Sequence, residues 1–364
     1  MPLEFAQTAL PLLVAFLTVM VVAPGVIAAL TRHKVGQTIQ KDGPESHFSK
    51  AGTPTMGGIV ILVGILVGLA AALFVMSRIN PEFLYYNDTD KPVAISPYGY
   101  LIALLALVLG YAVVGLVDDY LTIKPIRGVR GIASKPKAAI QFILAACFVL
   151  WLRHVGFEPV LYVAGKQLYF GETYWLLAAV FISGMANFVN ITDGLDGLVS
   201  GLVAIACTGL AFTLAFAYVV QGAIPVDALN GAAVLTPVIL ATIGACVGFL
   251  WYNANPARVF MGDTGSLAIG VLLPGIAIIM HLEILMIVLG LVFVLDGFST
   301  IIQWAVFKFT RITTGTGRRV FLKSPVHHHF ELMGWPEQTV VVRFWICGVI
   351  AAMLGYAGVT LGWW

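Results

Sequence analysis

The sequence contains little charge. Only 10% of its 364 residues are Asp, Glu, Lys or Arg, and 60% are hydrophobic. Because soluble globular chains carry about a quarter charged residues, this composition excludes a water-soluble domain with a single apolar core. The lipid bilayer is the solvent for such a surplus of apolar surface. We therefore predict an all-α integral membrane protein, since helices satisfy their own backbone hydrogen bonds in lipid.

Cysteine is also scarce, and no Walker A motif is present. The four cysteines lie inside apolar stretches without CxxC spacing: Cys147, Cys207, Cys246 and Cys347. This pattern indicates small buried side chains and excludes a disulfide framework or a cysteine-based zinc site. No internal repeat of span length stands out, which argues against a transporter built from repeats. The first apolar stretch lacks a basic leader, so we expect it to be retained as a span.

Ten apolar stretches are long enough to cross the hydrocarbon core, which takes about 20 helical residues. They are 7–30, 57–78, 98–118, 138–154, 173–190, 196–220, 231–252, 265–282, 284–306 and 341–362. The eighth and ninth are predicted to be joined by a very short turn at 281–283. The whole chain, 1–364, is predicted to form one polytopic membrane domain.

Lys and Arg are distributed unequally among the loops. Of the 20 in the chain, 15 lie in loops that follow odd-numbered spans and 4 in loops that follow even-numbered spans. Because basic loops stay on the cytoplasmic side, both termini are predicted to lie outside. The inner loops are expected to form a cytoplasmic active-site face: 31–56, 119–137, 188–197, 253–264 and 307–340.

Adjacent carboxylates, Asp118 and Asp119, close the third span. They are costly at the end of an apolar helix unless water, a cation or a partner is present. Successive helical residues point about 100° apart, so one carboxylate can face a site while the other faces a neighbour. A hydrated helix end explains the pair equally well.

Amides and carboxylates recur at every third position between the fifth and sixth spans: Asn187, Asn190, Asp193 and Asp196. If the backbone stays near helical, this period keeps them roughly on one face. Such a stripe suits a cation, ribose hydroxyls or an amide-rich substrate. Gly194 within it permits a tight turn or the close approach of a ligand.

Asp263 opens the eighth span, followed by Thr264 and Ser266. A helix N-cap explains these residues structurally. The same helix start would offer free backbone N–H groups to a phosphate and leave Asp263 free to hold a divalent metal. Mg²⁺ prefers a few carboxylates together with substrate phosphates and water, and Asp118, Asp119 and Asp263 supply that type of ligand.

The last inner loop carries basic residues and the sequence PVHHHFE at 325–331. No cysteines accompany the histidines, which argues against a soft-metal site. Imidazoles beside cations suit anion binding and proton handling, whereas a basic surface loop would not need three histidines. Asp296, near Gln303 in the ninth span, is an intramembrane acid and so a functional candidate. The glycines and threonines at 52–58 could present donors to a phosphate.

These residues suit phosphoryl transfer at a membrane surface, which needs positioning and charge neutralisation more than covalent chemistry from the protein. Five motifs carry this combination: GTPTMGG at 52–58, DDY at 118–120, NxxNxTDGLDGL at 187–198, NxxPAxVFMGDTGSL at 253–267 and PVHHHFELMGW at 325–335. Together they resemble the phospho-N-acetylmuramoyl-pentapeptide transferase family. The resemblance spans nearly the whole chain, with ten spans in the matching order.

The resemblance implies the reaction of UDP-N-acetylmuramoyl-pentapeptide with undecaprenyl phosphate to give lipid I and UMP, with Mg²⁺ as the cofactor. It implies a multi-pass protein of the bacterial cytoplasmic membrane whose active site faces the cytoplasm. No nucleic-acid partner is expected, and the oligomeric state stays open, a homodimer included. The alternatives are a sister N-acetylglucosamine-1-phosphate transferase, an ion-coupled transporter and a non-catalytic membrane scaffold.

The resemblance also implies roles for individual residues. Asp263 becomes the metal ligand, Asp118 the base that readies the lipid phosphate, and Asp119 its support. A phosphomonoester is already largely ionised at pH 7, so placing the metal or the lipid is an alternative role for Asp118. The residues implied to bind substrate are Lys50, Thr55, Lys137, Asn190, Asp193, Asp196, Phe260, Gln303, His327 and His328.

Two positions depart from the family pattern. Thr122 stands where the family usually has lysine, which leaves that role to Lys124, Lys135 or Lys137. Asp296 stands where the family tends to have glutamate. Spacing alone decides neither of these points, nor whether transfer is direct or passes through an aspartyl-phosphate.

Overall fold

A computed structural model describes residues 8–33, 52–79, 97–125, 128, 130–216 and 226–363. In these ranges the chain forms twelve helices and one antiparallel hairpin. The helices are α1 (Ala9–Arg32), α2 (Gly58–Ile79), α3 (Pro97–Ile123), α4 (Ser134–His154), α5 (Thr173–Thr192), α6 (Leu198–Phe216), α7 (Val226–Asn253), α8 (Gly262–Ile279), α9 (Glu283–Leu289), α10 (Leu291–Thr314), α11 (Val326–Leu332) and α12 (Glu337–Thr360). The strands are β1 (Val160–Val163) and β2 (Lys166–Tyr169).

Ten of the helices in the described ranges are long and apolar enough to cross a membrane. The predicted helical fold and its ten spans are therefore confirmed. The ends differ by a few residues, and one of these differences affects the site. Helix α3 continues to Ile123 rather than ending at 118, so Asp118 and Asp119 lie inside a helix and have fixed directions.

The prediction of a single ninth span at 284–306 is wrong. The segment forms two helices, α9 and α10, separated at Gly290. A Cβ on Gly290 would lie 2.9 Å from Met185 Cε and 3.0 Å from the carbonyl oxygen of Met286. The break therefore falls at a closely packed glycine, a residue that is unfavourable in a helix interior because of its conformational freedom. Helix α10 then continues well past 306, to Thr314, and ends at Gly315 in the left-handed conformation that favours glycine.

Helix α8 forms the centre of the bundle. All its residues from Thr264 to Ile279 are buried, as expected of a helix that is hydrophobic on every side. Three glycines let neighbours approach its backbone closely. A Cβ on Gly265 would lie 2.6 Å from the Cα of Gly58 in α2. On Gly270 it would lie 3.0 Å from Ala186 in α5, and on Gly275 it would lie 2.6 Å from Leu104 in α3.

This packing places the start of α8 beside the carboxyl ends of α3 and α5 and the amino ends of α2 and α4. The catalytic candidates lie at this end. The hairpin lies at the opposite end of the bundle, where the carbonyl of Val160 is 3.1 Å from His281 Nδ1. There the hydroxyl of Tyr174 also donates to buried Glu283 at 2.6 Å.

Candidate active site

Asp119 caps the start of α8 from the neighbouring helix α3. Its Oδ1 accepts the N–H of Asp263 at 3.1 Å. Its Oδ2 accepts the N–H of Thr264 at 3.0 Å and the hydroxyl of Thr264 at 2.7 Å. The predicted N-cap within 263–266 is therefore wrong, and so is the prediction that these N–H groups are free for a phosphate. A carboxylate at a positive helix end is a stabilising arrangement.

Asp118 points about 100° away from Asp119 around α3 and meets Lys137 of α4. Lys137 Nζ donates to Asp263 Oδ2 and lies 3.4 Å from Asp118 Oδ2. The other oxygen of Asp118 accepts the N–H of Ile132 at 2.7 Å. One ammonium group thus bridges two carboxylates from α3 and α8, and the expectation that the Asp pair would split between two environments is confirmed.

Lys137 is therefore the candidate lysine that reaches the acids. Lys124 lies over the ring of Tyr120, with 5.4 Å from Nζ to the ring centroid, and Lys135 is exposed. The sequence left these three lysines open because the choice depends on where α4 begins and how it is rotated. Spacing along the chain contains neither quantity.

Asn190 completes the cluster from α5. Its Nδ2 donates to Asp263 Oδ1 at 2.9 Å and to Ser266 Oγ at 2.9 Å. Asn187, one turn earlier, bonds instead to Gln141 Oε1 at 2.9 Å and lies away from the carboxylates. The two asparagines of the repeat therefore have different partners: Asn190 contacts Asp263, and Asn187 contacts Gln141.

The repeat does not continue as one helical face, because α5 ends at Thr192 and Asp193 adopts a non-helical conformation. Gly197 follows in the left-handed conformation with φ of 78°. As a result Asp196 points to the neighbouring loop, where its Oδ2 accepts the Nδ2 of Asn255 and the N–H of Ala257, each at 3.0 Å.

Asp193 differs from the other acids. Among the described residues its carboxylate has no hydrogen-bond or ion-pair partner. Burial, with the nearby carboxylates of Asp263 and Asp119, raises the pKa of Asp193 to about 8. Asp196 lies nearby as well, and Asp118 shares Lys137 with Asp263. Among the described residues, five carboxylates are thus close together, and Lys137 is the cation that contacts two of them. Such an excess of negative charge favours the binding of a cation.

The donor chemistry fits a hard divalent cation. No three histidine, cysteine or carboxylate side chains in the described ranges are gathered as a ready metal centre. Carboxylate oxygens are nevertheless the ligands that Mg²⁺ prefers. Asp193 has both oxygens available, and Asp263 keeps a lone pair on each oxygen beyond the donors it accepts. These two residues would hold the ion.

The GTPTMGG segment packs directly on the start of α8. The N–H of Phe260 donates to the carbonyl of Pro54, and the N–H of Gly57 donates to the carbonyl of Phe260, each at 2.8 Å. Thr55 is buried, and its hydroxyl oxygen lies 2.7 Å from where a Cβ on Gly262 would be. The predicted residues Thr55 and Phe260 thus lie beside the carboxylate cluster, whereas Lys50 lies outside the described residues.

His327 and His328 lie over the turn that contains Gly194. A Cβ on Gly194 would be 2.5 Å from His327 Nε2 and 3.4 Å from His328 Nε2. Each imidazole has a carboxylate on its other nitrogen: Asp296 lies 2.7 Å from His327 Nδ1, and Glu331 lies 2.6 Å from His328 Nδ1. His327 and Asp296 are fully buried. Burial lowers the pKa of His328 to about 4, so its ring is neutral at pH 7.

Gln303 is not brought to the cluster. Its Oε1 accepts the N–H groups of Val320 and Phe321 at 2.9 and 3.0 Å, and its Nε2 donates to the carbonyl of Phe321 at 3.1 Å. This arrangement ties the segment before the histidines to α10, and the predicted role in substrate binding stays untested.

Glu337, at the start of α12, is a residue that the motifs did not single out. Its Oε1 accepts the N–H of Asp196 at 2.9 Å, and its Oε2 accepts the Nδ2 of Asn255 at 3.2 Å. Its place after Gly334 and Pro336, directly before an apolar span, is the feature of the sequence that could have identified Glu337 as a candidate. Through these two bonds Glu337 holds the turn after α5 against the loop after α7.

Comparison with known proteins identifies related sequences. The model of Glycosyl transferase family 4 matches residues 101–281, and signature 1 of phospho-N-acetylmuramoyl-pentapeptide-transferase matches residues 50–62. The chain is 40% identical to the phospho-N-acetylmuramoyl-pentapeptide-transferase of Shouchella clausii, over 96% of this chain and 97% of that protein.

The chain belongs to the phospho-N-acetylmuramoyl-pentapeptide-transferase family. Relatives with the same name in Oceanobacillus iheyensis and Bacillus subtilis are 42% and 39% identical, over 94% of this chain and 95% of each relative. The resemblance read from the five motifs is thereby confirmed, and membership covers the whole bundle. In this chain the charged cluster of Lys137, Asp118 and Asp263 lies at the start of α8.

Proposed function

We propose that this protein transfers phospho-N-acetylmuramoyl-pentapeptide from its UDP-linked form to undecaprenyl phosphate, releasing UMP and forming lipid I. This is the first membrane step of peptidoglycan synthesis. The observation that carries the proposal is the 40% identity over 96% of the chain to a transferase of that name. The charged cluster at the start of α8 supports it, because phosphoryl transfer depends on positioning and charge neutralisation.

The ammonium of Lys137 is the donor best placed to meet phosphate oxygens, since it already bridges Asp118 and Asp263. Asp118 is held by the N–H of Ile132 and keeps Lys137 directed into the cluster. Because a lipid phosphate is largely ionised at pH 7, proton removal by Asp118 would add little, and placing Lys137 and the lipid phosphate is its main role in this proposal.

Mg²⁺ is the proposed cofactor, and Asp193 and Asp263 are its proposed ligands. When bound, it would neutralise negative charge on the transferring phosphate. The carboxylate of Asp193, which has no partner among the described residues and whose pKa is raised to about 8, supports this assignment, because a bound cation would stabilise the ionised form. Asn190 fixes Asp263 by donating to its Oδ1.

The proposed nucleotide-binding surface consists of the turn after α5 and the GTPTMGG segment at 52–58, which packs on the start of α8. Thr55, Asp196 and Phe260 surround this surface. His327 and His328, which cover Gly194, are proposed to face the phosphates or the sugar–peptide. In the described conformation His327 Nε2 is buried, so contact with a substrate would require the turn at Gly194 to move.

We also propose that the site end faces the cytoplasm in a bacterial cytoplasmic membrane, with both termini outside. The support is the distribution of Lys and Arg, 15 of 20 of which fall in the loops that follow odd-numbered spans, as do Asp119, Asp193 and Asp263. A soluble UDP-sugar could then meet a membrane-held lipid phosphate at one boundary. The predicted inner loops 31–56, 119–137, 188–197, 253–264 and 307–340 stay a proposal on the same grounds.

The test is UMP release by the purified protein in detergent from labelled UDP-N-acetylmuramoyl-pentapeptide with undecaprenyl phosphate. We expect turnover with Mg²⁺ and none after chelation. Asp263→Asn should abolish turnover, whereas Glu158→Gln, at an exposed position at the opposite end, should not. Turnover only with UDP-N-acetylglucosamine, or no dependence on undecaprenyl phosphate, would overturn the proposal.

A further inference from the structure

A buried polar layer lies one to two helical turns below the charged cluster, towards the middle of the bundle. The hydroxyl of Tyr111 in α3 donates to the backbone carbonyl of Gln141 in α4 at 2.7 Å. The same hydroxyl lies 3.3 Å from Ser183 Oγ in α5. Asn187 of α5 donates to Gln141 Oε1 at 2.9 Å and to the carbonyl of Ser183 at 2.7 Å. These contacts close a triangle between three helices.

Each helix of the triangle carries one residue of the charged cluster closer to the site. Helix α3 carries Asp118, α4 carries Lys137 and α5 carries Asn190. Lys137 precedes Gln141 by four residues and Asn190 follows Asn187 by three, so both lie about one turn away. A shift of one helix at the polar layer therefore moves a cluster residue by a similar distance.

Helix α4 depends on this layer more than its neighbours do. Gln141 is its first buried residue, and no residue between 133 and 140 is buried. The turn that carries Lys137 thus extends from the bundle without packing of its own beyond the cluster. Gln141 is the nearest point at which α4 is fixed.

The chemistry of Gln141 is unusual for a position that only fills space. The side chain is fully buried, and its Nε2 has no hydrogen-bond partner among the described residues. An unpaired donor in a membrane interior costs free energy, and an apolar residue of similar size would avoid that cost. Polar residues inside a membrane bundle are by default functional candidates.

We propose that Gln141 is a positioning residue, which ties α4 to α5 through Asn187 and so sets the reach of Lys137 to Asp118 and Asp263. Only the kinetic test of this inference depends on the proposed function. The ion pair that it concerns exists without substrate, so the inference can be tested without turnover.

Gln141→Leu removes one hydrogen bond, because the bond from Tyr111 goes to the backbone carbonyl and Asn187 keeps Ser183. We expect the melting temperature to stay near that of the unaltered protein. Lys137 should react faster with an amine-acetylating reagent, as measured by mass spectrometry against exposed Lys135 in the same sample. The kcat for UMP release should fall by about tenfold to a hundredfold, the range expected for misplacement of a catalytic group.

Asn187→Val removes the same bond from the other side, together with its own bond to the carbonyl of Ser183 within α5, and should have the same effect on Lys137. The double variant should increase the reactivity of Lys137 no more than either single variant, because both changes remove the bond between Gln141 and Asn187. Thr242→Val is the matched control. Thr242 is buried in α7, and among the described residues its hydroxyl bonds only within its own helix, at 2.8 Å to the carbonyl of Val238. It should leave both the reactivity of Lys137 and kcat unchanged.

An unchanged ratio of Lys137 to Lys135 acetylation in Gln141→Leu would overturn the inference, as would a fall in kcat that only follows a lower melting temperature. If the unaltered protein releases no UMP, the proposed function fails. The acetylation ratio would still decide whether Gln141 positions Lys137.

Discussion

Replacing Lys137 with methionine would remove the only cation that contacts Asp118 and Asp263 among the described residues. Methionine keeps much of the length and apolar stem of the side chain, so the change is mainly one of charge. The side chains of Lys137 and Asp118 are only 16% and 14% exposed. Solvent therefore compensates little for the lost ammonium.

The distances give the size of the effect. At an effective dielectric constant of about 20, unit charges 3.4 Å apart attract by about 5 kcal/mol. Breaking a largely buried pair by removing one partner costs about 3–5 kcal/mol, because the remaining charge is left uncompensated. Loss of one positioned donor in an active site typically lowers kcat by about 10²–10³. We expect a fall of at least about a hundredfold.

The assay is the initial rate of UMP release with both substrates saturating and Mg²⁺ present. Lys135→Met is the matched control, since that lysine lies two positions away, is exposed and should tolerate the change. Melting temperatures of both variants would separate misfolding from lost chemistry. A Lys137→Met protein that is folded and retains more than about a tenth of the unaltered kcat would refute the reasoning, because the charged cluster would then be dispensable.

Three further outcomes follow from the same site. Asp119→Asn should lower the melting temperature, because an amide cannot accept all three hydrogen bonds of the α8 cap, and the loss of a cap costs about 0.5–2 kcal/mol. An unchanged melting temperature in calorimetry would contradict the role of Asp119 as the cap. Gly115→Ala should reduce kcat, because its Cβ would lie 2.2 Å from the carbonyl oxygen of Asp263 and overpacking typically costs about 1–3 kcal/mol; kinetics equal to those of the unaltered protein would be inconsistent with that contact. The pKa of Asp193 is raised to about 8, so the folded state binds more protons than the unfolded state, and metal-free stability should fall as pH rises from about 4 to about 8. Asp193→Asn should reduce that slope in melting experiments between about pH 5 and about pH 8, and an identical slope would count against the shift.

The sequence by itself determined the class of the protein and the end of the bundle that carries the chemistry. Hydropathy summed over about 20 residues identifies a span whatever its neighbours are, because lipid requires each span to satisfy its own backbone. That is why ten spans were predicted correctly in number and order. The motifs around Asp118, Asn190 and Asp263 likewise indicated one site, since alternate ends of successive spans must return to the same side of the membrane.

Only the tertiary structure decided what each polar residue does. That Asp119 caps α8 while Asp118 meets Lys137 depends on the rotation of α3 against α8. Asp119 and Thr264 are separated by 145 positions in the sequence, which contains no signal of that rotation. The selection of Lys137 over Lys124 and Lys135 depends on where α4 begins. The break at Gly290 lies beside Met185 of α5, a neighbour that the local sequence does not specify. These outcomes follow from contacts between helices distant in sequence, whereas local pattern specifies only which residues are able to make them.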